Sequence, residues 1–363
     1  MMVIDVHCHL GYSARRVDTA IRRFWFEPHG AHGSPGYDSY LSPRMLSRIA
    51  WFFVRRWMGI DARAGAGEEL DLQIDAVNQR HWSGALSVDR LVLLAFDECH
   101  DDAGRPMGPA RRRGQRGSDL YVSNSLACAM AAARPDRFLF GASIHPYRSL
   151  AGQDACGMLE EVAAARPALV KWLPIHQNIR IDDERSVAFL RAAARRGVPM
   201  LIHYGGEMSL ARQHMEFQSP EPLLRVLRRL RAEGAMPTVI VAHAATPSFI
   251  LQSRRGHDAL MEALLGEFAD APLYAEISGL TGLGRAHWLG RLARRRELHR
   301  KLIWGSDYPV PVMLRLLRGT IGREKAREIE ALPSWIEQNI RVCRAAGFDE
   351  DVFTRAAEIL PVR

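Results

Sequence analysis

His7 and His9 in VIDVHCHL, His203 in PMLIHYGG, His243 in TVIVAHAA and Asp307 in LIWGSDYP each close a short, β-rich apolar run. Imidazole nitrogen and carboxylate oxygen are the donors that Zn²⁺ takes, and Mn²⁺, Fe²⁺ or Co²⁺ also suit the set. Each motif alone says little. An H-x-H pair is common, and a histidine at a strand end is ordinarily a core residue whose ring nitrogens are satisfied by neighbours. The conjunction says more: residues of ligand type at the ends of four separate runs share one chemistry only if the fold brings those ends together. A parallel barrel gathers the carboxyl ends of distant strands at one face.

The elements that would position them can be read along the chain. Eight runs have buried-strand character: 3–9, 90–96, 138–144, 168–173, 199–204, 238–243, 273–278 and 301–307. Being apolar almost throughout, they suit a parallel sheet covered on its outer face. Helices are expected between them. Asp182 and Asp183 open one that stops before Gly197; Ser219 and Pro220 open another that stops at Gly234; Thr246 and Pro247 repeat the opening device. Alternation of strands and helices predicts a single-domain α/β protein over 1–363, a (β/α)₈ TIM barrel. No G-x-G-x-x-G or G-x-x-x-x-G-K-[ST] occurs, so nucleotide-binding folds lose support.

Two stretches exceed what a barrel needs. The first helix requires only about residues 68–83, which makes 11–66 a long insertion after strand one, and 97–118 a smaller one after strand two. Both fall at the carboxyl-end face, where barrels build active sites, and are candidate lids or substrate walls. The first carries Arg15, Arg16, Arg22, Arg23, Trp25 and Phe26, then LSRIAWFFVRRWMGI, whose Leu46, Ile49, Phe53 and Trp57 fall on one helical face. Packing on the barrel or at a homodimer contact is the ordinary fate of such a face, with a membrane surface the rival.

Strand alternation predicts that Asp5, His7 and His9 share one side and Cys8 the other. The five cysteines are scattered, without C-x-x-C spacing, and indicate neither a disulfide framework nor a zinc finger. The net charge of +8 would suit nucleic acid, but all except three of the 49 basic residues are arginine, without interleaved aromatics in their clusters. A solvated basic surface is the simpler account, so no nucleic-acid partner is expected. No run reaches the roughly 20 apolar residues of a membrane span, and a cytoplasmic protein is expected.

The motifs DVHCH, IHYGG, AHA and WGSDYP, with NSLACAMAAARPDRFLFGASIHP and VKWLP, resemble the amidohydrolase superfamily. The likeness is to its amidohydrolase-related branch, which includes aminocarboxymuconate semialdehyde decarboxylase. It spans the barrel and fails in the insertions. The resemblance implies one metal held by His7, His9, His203 and Asp307. Asp307 would also take a proton from bound water, and His243 would polarise the scissile group or shuttle a proton. Lys171, one of only three lysines, is a third catalytic candidate. Three readings stand for it: a carbamylated bridge between two metals, an unmodified site residue, or a structural residue. His145 and His176 are expected to bond backbone, and Glu276 and Ser278 to orient the ligands. The function expected is hydrolysis of a small-molecule ester, lactone or amide. The rivals are non-oxidative decarboxylation of an aromatic or unsaturated acid, a metal-free binding protein or inactive relative, and a membrane-associated role.

Overall fold

The computed structural model describes residues 1–10, 24–27, 38–61, 68–249 and 251–362. Eight parallel strands form one sheet in chain order: β1 Ile4–His9, β2 Arg90–Leu94, β3 Phe138–Ala142, β4 Leu169–Trp172, β5 Met200–His203, β6 Val239–Ala242, β7 Leu273–Glu276 and β8 Leu302–Ile303. The ring closes just beyond β8, where His9 N–H donates to Tyr308 O at 2.8 Å and Asp307 N–H donates to His7 O at 2.9 Å. This is the expected TIM barrel. Each run after the first ends earlier as a strand than its apolar pattern suggests, β8 most of all, because the site residues leave the ladder.

Period-two alternation sorts the strands into two layers. Ile4, Val92, Leu139, Leu169, Leu201, Ile240, Tyr274 and Ile303 pack together inside the barrel. Two residues further along β4, β5 and β7, the same face carries Lys171, His203 and Glu276, all buried. The apolar floor contributes roughly 1.5–3 kcal/mol per large side chain. That offsets the several kcal/mol each that the ionisable groups above it lose on leaving water.

β1 departs from simple alternation. Its register against β2 shifts between Asp5 and Cys8, so that Asp5 aligns with Leu91 and His9 with Leu94. The bulge puts His9 on the side of Leu94, which belongs to the inner cluster, and Asp5 on the side of Leu91, which belongs to the outer one. Asp5 therefore does not share the face of His9, contrary to the alternation argument; it accepts from Ser306 N–H (2.8 Å) and His7 N–H (3.0 Å) instead. Bulges re-aim side chains in this way next to active sites. Cys8 packs in the outer core, as expected.

The helix Glu184–Arg196 begins at Asp183, whose carboxylate accepts from Arg185 N–H, and ends at Gly197 in the left-handed region. Glu221–Ala232 follows Pro220 as read. Thr246 and Pro247, however, open no helix; the next starts at Arg255, and the Thr246 hydroxyl donates to His243 O at 2.8 Å. In the insertion, Ile49–Met58 is helical. Its buried face is Trp51 and Met58, while Ile49, Phe53 and Trp57 are 78%, 46% and 43% exposed, so the face read from spacing does not pack on the barrel. Two tryptophan-sized choices were available at that spacing, and Trp51 won. Phe26 is buried, and Trp25 donates to Glu161 at 2.7 Å. Arg15, Arg16, Arg22 and Arg23 lie outside the described residues. No described helix is long and apolar enough to cross a membrane.

Asp119 ties the insertions to the barrel loops. Its carboxylate accepts from Arg44 Nε (2.7 Å), Ser42 Oγ (3.2 Å) and Ala211 N–H (2.7 Å), and its own N–H donates to His176 Nε2 (3.1 Å). Burial opposes its ionisation, but His176 and Arg44 outweigh that and hold its pKa below the ordinary value. A depressed carboxyl stabilises the fold above its unfolded pKa and loses that contribution as pH falls through its lower folded value. Asp119→Asn should therefore cost about 3 kcal/mol in urea unfolding at pH 7. The difference should narrow as pH drops below about 3.9; equal stability at pH 7 would show that Asp119 is not a tie.

Candidate metal centre

His7 Nε2, His9 Nε2 and Asp307 Oδ1 form a triangle at the barrel mouth with sides of 3.2, 3.4 and 3.6 Å. Its corners lie about 2.0 Å from a common point, the length of a Zn–N bond. A second set of possible donors joins His7, His243 and Glu276. There the space is already taken by the Ser278 hydroxyl, 2.6 Å from Glu276 Oε2, 2.9 Å from His243 Nδ1 and 3.2 Å from His7 Nδ1. The triangle is the set that fits an ion.

Three of the four rings are oriented by what their far nitrogens touch. His7 Nδ1 lies 3.0 and 3.1 Å from the two oxygens of Glu276, His243 Nδ1 3.0 Å from Ser278 O, and His203 Nε2 3.2 Å from Gly206 O. A carbonyl can only accept, so we assign those protons to His243 Nδ1 and His203 Nε2, and by the same logic to His7 Nδ1. The lone pairs then lie on His7 Nε2, His203 Nδ1 and His243 Nε2, and the last two face each other at 3.1 Å. Such carboxylate and carbonyl backing is the usual support of metal-bound imidazoles.

The backbone is bent to achieve this. Alternation would turn His243 away from Ala242 and out of the barrel, but His243, Ala244 and Ala245 all have φ near +50°, and Asp307 has φ +59°. Each such residue costs about 1–3 kcal/mol and persists where its surroundings over-determine it. Two glycines clear the space. A Cβ on Gly279 would come within 2.8 Å of Asp307 Oδ2 and 3.0 Å of His243 Nδ1, and one on Gly305 within 2.1 Å of Glu276 Oε1.

Burial governs the charges. It lowers the imidazoles of His7, His203 and His243 well below their ordinary range, with Lys171 adding to the effect on His7 and His203 and Arg285 on His243. All three are thus neutral at pH 7, the form that ligates or accepts a proton. Burial opposes the ionisation of Asp307, but His9 and Arg285 act against it and its carboxyl stays below the ordinary range. Glu276 is pushed up and Lys171 down by burial, each restrained by the other's charge.

A profile of the amidohydrolase family matches residues 4–328. The chain belongs to the amidohydrolase family. This amidohydrolase is an enzyme. An uncharacterized TIM-barrel protein from Bordetella bronchiseptica superposes with a TM-score of 0.54 at 16% identity, over 98% of this chain and 100% of the other, a likeness of fold. A probable 2-pyrone-4,6-dicarboxylic acid hydrolase from Acinetobacter baumannii, solved with citric acid bound, gives 0.49 at 14% identity over 99% of each chain. The 5-carboxyvanillate decarboxylase of Sphingomonas paucimobilis gives 0.49 at 13% identity, over 100% of this chain and 99% of its own. A search of curated proteins by sequence finds no match.

Of the residues singled out in this amidohydrolase's sequence, His7, His9 and Asp307 meet directly. His203 enters through His243, its Nδ1 3.1 Å from His243 Nε2, and Lys171 stands buried on the same inner face. His145 bonds Gln177 O at 2.8 Å and His176 bonds Ala211 O at 2.9 Å, the backbone partnerships expected. Sequence reasoning missed Arg285, Glu207 and Gly279, and it assigned no role to Gly305 within WGSDYP. Gly279 and Gly305 do lie two residues from Ile277 and two from Asp307, where a glycine ending an apolar strand is worth noting. Glu276→Ala should weaken zinc binding roughly 10–100-fold by chelator competition, because it removes the acceptor that fixes His7. Unchanged affinity would contradict the assigned orientation.

Proposed function

We propose that this amidohydrolase is a metal-dependent hydrolase of a small-molecule ester, lactone or amide. The observation that supports this most is the convergence of three neutral imidazole lone pairs and an ionised carboxylate on one buried mouth. His7, His9 and Asp307 would hold a divalent ion, zinc or a related transition metal, and His203 would offer Nδ1 to the same ion. A bound ion would supply a water of pKa near 7 and a Lewis-acid contact for a substrate oxygen.

The chain's own groups provide the rest. Asp307 is ionised and can take a proton from the nucleophile. His243 is neutral and anchored through Nδ1 to Ser278, with Nε2 facing His203 Nδ1. It can accept a proton at neutral pH and return it to a leaving group. The buried cations Lys171 and Arg285 keep a second reading in play, the non-oxidative decarboxylation of an aromatic or unsaturated acid, since an acidic substrate needs such partners. A small molecule is the partner proposed, without nucleic acid.

Activity should vanish on dialysis against a strong chelator and return with zinc, while His7→Ala with His9→Ala should bind no stoichiometric metal. His243→Asn should retain zinc and lose roughly 10²–10⁴-fold in kcat. A screen of lactones, esters, amides and aromatic acids that scores acid release against CO₂ release separates the two reactions. Full activity in metal-free protein would overturn both.

A further inference from the structure

We propose that the helix Ile49–Met58, with an arginine-rich loop bonded beside it, docks this amidohydrolase on an anionic lipid surface. The proposal concerns where the enzyme works, and it depends neither on the metal nor on the reaction. Ile49, Phe52, Phe53, Arg56 and Trp57 follow the spacing of a single helical stripe, and all five are exposed, Phe52 to 55%. Trp51 and Met58 hold the other side of the helix in the core. Single apolar side chains are ordinary on any surface, but four large ones in one stripe mark an interaction site. Arg48 Nη2 donates to Met208 O at 3.2 Å, in the loop after β5, so the stripe adjoins the barrel mouth.

Charge identifies what covers it. No acidic side chain occurs from Ser39 to Ile60 or from Ala103 to Ser118. These two segments are bonded together: Arg44 N–H donates to Ala110 O at 3.0 Å, Arg44 Nη2 to Gly117 O at 2.9 Å, and Arg44 Nη1 to Gln115 O. Among those acceptors Arg111, Arg112, Arg113 and Arg116 stand exposed, with no ion-pair partner among the described residues. An apolar stripe beside unpaired cations is how an interfacial helix binds acidic lipid: the apolar groups enter the headgroup boundary and the guanidinium groups meet phosphates. A second copy fits less well. Two-fold pairing of this face would bring the arginines of both copies together, with no carboxylate on either segment to answer them. A nucleic acid would answer the charge but not the stripe. Phe52 and Phe53 stand edge to face at 5.6 Å and Phe53 leans on Trp57 at 6.2 Å, so the rings engage one another, and Ile49 has no π-face for a base.

The test is co-sedimentation of the full-length protein with vesicles of phosphatidylcholine alone and of phosphatidylcholine mixed equally with phosphatidylglycerol. Analytical ultracentrifugation of the protein by itself and titration with single-stranded poly(U) accompany it. The protein should partition onto the phosphatidylglycerol vesicles roughly 10-fold or more above phosphatidylcholine alone, and added salt should release it. Phe53→Ser with Trp57→Ser should lower that binding roughly 10-fold or more at an unchanged melting temperature, since both side chains are already near half exposed. Arg111→Gln, Arg112→Gln and Arg113→Gln together should lower it as well and flatten its dependence on salt. If the aromatic double variant does not fold, Ile49→Ser, at the most exposed position of the stripe, carries the comparison. Equal binding to both kinds of vesicle, or binding that survives loss of Phe53 and Trp57, overturns the proposal. So does a dimer that the same two substitutions dissociate in protein that ignores vesicles, which gives the face to a second copy. Binding of poly(U) without binding of vesicles gives it to nucleic acid and refutes the proposal equally.

Discussion

The mouth of this barrel depends on acceptors placed behind the histidines. Glu276 behind His7, Ser278 O behind His243 and Gly206 O behind His203 each occupy the outer nitrogen and leave the inner one as a lone pair. In a dry site those inward lone pairs and the Asp307 carboxylate repel one another, and a cation among them is the arrangement's natural complement. Glu276 is the key member, because its carboxyl meets His7, the Ser278 hydroxyl and the field of Lys171 at once.

The rest of the fold can be understood as what holds those acceptors in place. Alternation along β4, β5 and β7 sets Lys171, His203 and Glu276 above an apolar floor. The bulge in β1 separates the face of His9 from that of Asp5. The left-handed turn at His243 to Ala245 swings one ring back into the barrel, and Gly279 and Gly305 leave room for Asp307, His243 and Glu276. Further out, Asp119 locks the inserted segment at Arg44 to the loops after β4 and β5. Catalytic groups and covering loops are therefore braced by a shared set of buried polar bonds.

Much of this was legible in the sequence because strand patterns are local. All eight strands follow from apolar runs, and the ligand-type residues at their ends were visible as a group. What escaped were features that depend on partners far along the chain. A one-residue bulge leaves the pattern of β1 unchanged while reversing the side on which Asp5 falls. Thr246 and Pro247 have the composition of a helix start, but the Thr246 hydroxyl serves the His243 carbonyl instead. The helix at Ile49 offers aromatic residues all round, so spacing alone could not choose Trp51 over Phe53. Arg285 was one arginine among dozens until its burial and its bond to Gly206 O distinguished it.

Anomalous diffraction from a zinc-soaked crystal tests the central claim most directly, since it locates the ion without reference to activity. A single strong peak about 2 Å from each of His7 Nε2, His9 Nε2 and Asp307 Oδ1 is the predicted result. No peak in the barrel mouth, or one seated between Glu276 and the Nδ1 atoms of His7 and His243 where the Ser278 hydroxyl lies, would contradict it.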